Sequence, residues 1–142
     1  MTPARARPHE RFSTEILLTP ASVSTFATAA GDANPLHHDA AFAAATRFGG
    51  VIASGPQTTS LLLGLVATHF APRGAMLGLE FTFRFMRAVP ADQRVKLEWL
   101  VVRVRPAGRS GGELVDLRGR LQTQDGRTAV GAKGRVLLTD AL

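Results

Sequence analysis

The stretch Gly31-Asp32-Ala33-Asn34-Pro35-Leu36-His37-His38-Asp39 places a carboxylate and an imidazole a few residues apart in a segment that cannot be helical throughout. The proline ring disfavours the α conformation at Asn34, so the helix expected before it does not run through. Gly31 supplies the backbone freedom that ends that Ala-rich helix. The result is a stiff loop from which Asp32 and His37 can point the same way. A carboxylate and an imidazole sharing one site suit general acid–base work on a water molecule, since their pKa values straddle the range a protein can tune.

The same residue types have two other readings. Asp, Asn, Gly and Pro are what tight turns use, and Asp39 can simply cap a helix beginning at Ala40. A metal site built from Asp32, His37, His38 and Asp39 is the third reading. Adjacent histidines tend to diverge, the chain has no cysteine, and no distant His-rich segment exists to complete a ligand set. No metal is expected.

The spacing continues in a longer pattern. Phe26 precedes the loop, and Ala41 to Ala45 follow it as an Ala-rich helix. Then come Phe48-Gly49-Gly50-Val51-Ile52-Ala53, Gly55 at a helix start, and Ser60-Leu61. This run resembles the signature of the MaoC-like dehydratases, the (R)-specific enoyl-CoA hydratases. The resemblance implies an α+β hot-dog fold, an antiparallel sheet wrapped around a long central helix. It also implies reversible hydration of a trans-2-enoyl-CoA to the (R)-3-hydroxyacyl-CoA, with Asp32 and His37 as the catalytic pair. Coenzyme A enters as part of the substrate and no separate cofactor is implied, while a homodimer is. Two departures stand out: Ser54-Gly55-Pro56 where the family often has His-Gly before the long helix, and Leu63 where some members carry a serine.

The chemistry of such a hydration assigns further residues. Enolate charge at the thioester oxygen needs preorganised donors, and the Gly55 N–H lies at a helix start, where unpaired amides favour an anion. Pro56 has no N–H, which leaves Gly55 as the donor of that pair; its other reading is a plain helix-start glycine. Ser54 and Asn34 join Gly55 as substrate-side candidates, Asn34 also as a residue that fixes the loop and orients Asp32. His38 is expected to face solvent or support the loop. Two alternatives have the same fold: a catalytically silent acyl-thioester-binding or scaffold subunit, and a hot-dog thioesterase. The second needs a carboxylate from the long helix, yet Gln57 to Phe70 contains no acidic residue.

Length and composition fit these expectations. At 142 residues, with 45% apolar and 20% charged residues, the chain reads as one globular domain. No apolar run reaches bilayer length, and no apolar stretch follows the basic first ten residues as a secretory signal would require. Residues 1–10 are expected as a disordered arm, 11–142 as the domain, and the cytoplasm as its location. The net charge of +6 comes almost wholly from arginine. These arginines are dispersed and tyrosine is absent, so neither a basic helix nor a stacking platform for nucleic acid emerges.

Periodicity places the elements. Phe12 to Leu18 reads as a strand, Pro20 to about Ala30 as a helix capped by Thr19, Asp39 to Thr46 as a short helix, and Gln57 to Phe70 as a buried helix. From Ala75 the period becomes two, with Leu77, Leu79, Phe81, Phe83 and Phe85 expected on one core face. Arg94 to Arg105 alternates until it slips at Val102 and Val104, which suggests a bulge. A loop at Pro106 to Gly112, a strand through Val115, Leu117 and Leu121, a two-residue turn at Asp125-Gly126 and a last strand to Leu138 complete the expected sheet.

Overall fold

Thr19 starts the first helix by a reciprocal cap: its hydroxyl accepts from the Ser22 N–H, and the Ser22 side chain accepts from the Thr19 N–H. The structure, a computed structural model, describes residues 5–108 and 111–140. Strand β1 (Arg11–Leu18) leads into helix α1 (Pro20–Ala29), a 3-10 turn (Pro35–His37) and helix α2 (Ala40–Ala44). Helix α3 (Gly55–Phe70) follows, then β2 (Ala75–Phe85), β3 (Gln93–Pro106), β4 (Glu113–Gln122) and β5 (Thr128–Thr139). The strands form one antiparallel sheet in the order β1-β3-β4-β5-β2.

Helix α3 lies on the inner face of this sheet and touches β1 to β4. Its buried row is Thr58, Leu62, Val66 and Phe70, the four-residue spacing of a single helix face. The indole of Trp99, fully buried on β3, donates to the Leu62 carbonyl at 2.9 Å and pins helix to sheet. Opposite Trp99 in register is Gly119, where a Cβ would come within 2.5 Å of the indole. A glycine there lets the largest side chain of the core lie flat between sheet and helix. This is the hot-dog arrangement, with the sheet wrapped around α3, whose 16 residues make it the longest helix among the described residues.

Four expectations change in the structure. The aromatic stripe of β2 is not all core: Leu79 is 52% and Phe85 58% exposed, on a strand at the edge of the sheet. A register shift between Gly78 and Glu80 also breaks its alternation, so Leu77 and Phe81 lie on opposite faces. Leu61, Leu63 and Leu65 of α3 are only half-buried, so the helix is covered along one stripe rather than around its circumference. The β4–β5 turn holds three residues rather than two. Thr123 closes it by donating to Arg127 O, and Gly126 adopts the left-handed φ of 81° that such a loop requires. The slip in β3 is a bulge, with the register shifting between Val101 and Arg103. Residues 109 and 110 of the loop after β3 lie outside the described residues.

The fourth change is the arm. Residues 5–10 pack on the domain, while residues 1–4 lie outside the described residues. The N–H groups of Arg5 and Ala6 both donate to the Glu113 carboxylate, and the buried Arg5 guanidinium reaches the Leu138 carbonyl and Asp140. Glu10 meets His69 Nε2 at 2.5 Å and accepts from Arg73 Nη1 at 2.9 Å, while the His69 ring stacks on Phe12. Arg73, together with His69, holds the Glu10 carboxyl down at about 2, against an ordinary value of 4.5. A carboxyl lowered on folding stabilises the fold above its unfolded pKa, and that contribution is lost as pH falls from about 4.5 towards 2. Glu10→Gln is therefore expected to cost roughly 2–3 kcal/mol at neutral pH. Urea unfolding across a pH series should show this deficit closing below pH 4.5; a deficit constant down to the acid limit would mean that Glu10 acts through packing alone.

Candidate active site

The loop between α1 and α2 holds its two functional side chains by backbone contacts made within itself. The Asp32 Oδ1 accepts from the Asn34 N–H at 3.0 Å, which leaves Oδ2 free. The Asn34 side chain accepts from the Leu36 N–H and caps the 3-10 turn that carries His37. Asn34 thus fixes both members of the pair, Asp32 through its backbone and His37 through its side chain. His37 Nε2 stands 3.5 Å from Asp32 Oδ2, with His37 buried and Asp32 partly open.

His37 Nδ1 lies 2.8 Å from the carbonyl of Ile52. A carbonyl can only accept, so Nδ1 carries the hydrogen, and in the neutral ring Nε2 is left as a lone pair facing Asp32. Two acceptors side by side form a seat for one water that donates a hydrogen to each and keeps its own lone pairs outward.

His37, with Asn34 beside it, lines a cavity of about 390 Å³, and Asp32 stands behind His37 rather than in its wall. Ile52, Ala53, Phe85, Val89 and Val130 give it an apolar wall, and Gly55 and Thr58 at the start of α3 line it too. Ser54 caps α3: its hydroxyl accepts from the Gln57 N–H, and its carbonyl accepts from the Thr58 N–H. With Pro56 lacking a donor, Gly55 keeps the one N–H of that first turn with no partner among the described residues. Of the two departures from the family pattern, Ser54 is a helix cap, and Leu63 lies about two turns along α3 and does not line the cavity. Arg47 and Arg87 stand at its rim, the first over the Phe48 ring at 4.9 Å.

His38 supports the loop, one of the two roles expected of it, through partners that the sequence does not reveal. Its Nε2 is 2.7 Å from the Asp32 carbonyl and must donate to it, so its Nδ1 accepts from the Ser24 hydroxyl at 2.8 Å. The ring ties α1 to the backbone of Asp32. No local pattern announces this contact, because it joins residues fourteen positions apart on two elements.

Comparison with known families decides the lineage. A family profile described as a MaoC like domain matches residues 4–117. The chain belongs to the MaoC-like family. This MaoC-like chain is 32% identical, over 119 residues, to the (R)-specific enoyl-CoA hydratase of Aeromonas caviae, a match covering 83% of this chain and 84% of that one. The solved (R)-hydratase of A. caviae involved in PHA biosynthesis superposes with a TM-score of 0.85 at 29% identity, over 94% of this chain and 98% of that one. The R-hydratase PhaJ1 of Pseudomonas aeruginosa also reaches 0.85, at 27% identity, over 95% and 83% of the two chains. The expected family and hot-dog fold both hold.

Proposed function

We propose that this chain hydrates trans-2-enoyl-CoA reversibly to (R)-3-hydroxyacyl-CoA, with Asp32 and His37 as the acid–base pair. The observation that carries this is the pair itself, Asp32 Oδ2 3.5 Å from His37 Nε2 with His37 Nδ1 held by the Ile52 carbonyl, beside the cavity that His37 lines. The similarity to hydratases over most of the chain supports the same reading.

A water held between the two acceptors attacks C3 with its outward lone pair. The proton it loses goes to the pair, Asp32 being the base, and the C2–C3 π electrons move towards the thioester carbonyl. The Gly55 N–H stabilises the enolate oxygen that forms. C2 then takes a proton from the Asp32–His37 pair, which returns to its starting state. Since the hydrogen on His37 Nδ1 is given to Ile52, neutral His37 can protonate C2 only after Nε2 has received a proton. One water is consumed, one C–O and one C–H bond form, and no cofactor is called for.

Arg47 and Arg87 at the rim suit the phosphates of coenzyme A. The exposed apolar side chains of edge strand β2 and its unpaired backbone suit a second copy of the chain, and we propose a homodimer joined there. The test is loss of the conjugated thioester absorbance on adding enoyl-CoA, with chiral analysis of the product. An (S) product would overturn the stereochemical part. Binding without turnover would favour the scaffold alternative, and release of free coenzyme A the thioesterase.

His38 acts through Asp32 and is a positioning residue. His38→Ala is expected to lower kcat about tenfold with little change in KM. Adding Ser24→Ala to that variant should cost nothing more, because both serve one tether. An additive loss in the steady-state kinetics would separate the two residues.

A further inference from the structure

Four cations crowd one place on the outer face of the sheet, the side away from α3. Arg118 on β4 and Lys133 on β5 are both exposed and stand directly opposite each other in register. Two residues along, Arg84 on β2 and Arg120 on β4 flank Gly131 of β5, which is the register partner of each. With the hydroxyls of Thr82 and Thr128 they ring a depression of about 450 Å³. Gly131 puts no side chain into it, and Met86 closes against that glycine from the end of β2.

Like charges directly opposite on antiparallel strands destabilise the pairing. The acids of this face do not relieve it. Asp116 is bound to Arg135 at 2.7 Å, and Glu80 is that arginine's register partner from the other side. Glu98 is shared among Arg11, Lys96 and Arg120, and Glu15 faces Lys96. Among the described residues, Arg84, Arg118 and Lys133 have no acidic group within ion-pairing distance. Their exposure means that no packing offsets the repulsion.

The patch is an island. Glu80 and Asp116 bound it along the strands, and Glu98 bounds it across them. That outline excludes a long polyanion lying along the sheet and suits a compact one. The two cationic rows are two residues apart, roughly 7 Å, the scale of two linked phosphates rather than one. We propose that this depression binds a small diphosphate-bearing molecule through Arg84, Arg118, Arg120 and Lys133, on the opposite face of the sheet from the His37 cavity.

Inorganic pyrophosphate and ADP are the probes, with inorganic phosphate as comparator, titrated into the full chain by calorimetry at about 0.15 M salt so that diffuse attraction is screened. Both diphosphates are expected to bind at least about tenfold more tightly than phosphate. Arg118→Gln and Lys133→Gln should each weaken that binding by about tenfold or more, whereas Arg94→Gln, which removes an exposed cation outside both this depression and the His37 cavity, leaves it unchanged. The ligand-free Arg118→Gln and Lys133→Gln proteins should also melt about 1–3 °C higher than the parent, because each relieves the repulsion. That paired outcome, weaker binding with a more stable empty protein, is what a surface without a site would not give. Equal response to pyrophosphate and phosphate overturns the proposal. So does diphosphate binding that survives the Arg118→Gln/Lys133→Gln double change, or that is lost in Arg94→Gln instead.

Discussion

Asp32→Asn and His37→Asn are each expected to lower hydration turnover by on the order of 10²–10⁴-fold while the protein stays folded. The replacements are chosen from the contacts. Asn at position 32 still offers an oxygen to the Asn34 N–H, so the loop keeps its shape and only the base is lost. Asn at position 37 offers an amide hydrogen near the place of Nδ1–H, so the Ile52 carbonyl is not left unpaired in the buried wall. Because both groups hold one water, the double variant should be little worse than the poorer single one. Single-turnover rates, with thermal unfolding run alongside, check this. Near-parental turnover in either variant removes the mechanism, and simple multiplication of the two losses would mean that the residues act on separate steps.

Gly55→Val is expected to lose roughly 10²–10³-fold in turnover, the cost of displacing one preorganised donor from a developing oxyanion. Gly55 does not have a left-handed φ, so a side chain there meets no backbone strain. What it meets is the Phe85 ring, at 3.2 Å from the position of a Cβ. That ring is more than half exposed and can give way, so unfolding should shift only modestly. Gly55→Ala should lie between parent and valine in rate. Loss of turnover in step with loss of folding would make Gly55 structural, and unchanged turnover would remove it as the donor.

The pair and its loop were readable because they are local. Asp32, Asn34, Pro35 and His37 fix one another through contacts two or three residues long, and chain order alone carries such information. The β3 bulge was readable for the same reason, as a break in a strict period at Val102. What escaped depends on distant neighbours. A period of two at Leu77 and Leu79 cannot reveal that Phe81 lies across Gly134 and that the strand kinks at Leu79. Nor can it tell an interior strand from an edge, which is why the β2 stripe read as core. The Ser24–His38 tether and the seating of Arg5 on Glu113 were invisible on the same ground, since each joins segments with no shared pattern.

The seating of the N-terminal arm bears on the order in which the chain assembles. Arg5 reaches Leu138, 133 positions away, and its amide meets Glu113, 108 positions away. Formed alone, contacts of such separation would carry the full entropy of closing the chain into a loop; once β1, β3, β4 and β5 are paired, only the short arm is left to order, so these contacts come last. The arm therefore belongs to the native side of the folding barrier. It acts as a latch, whose strength sets how slowly the finished protein opens and leaves the speed of its formation almost untouched.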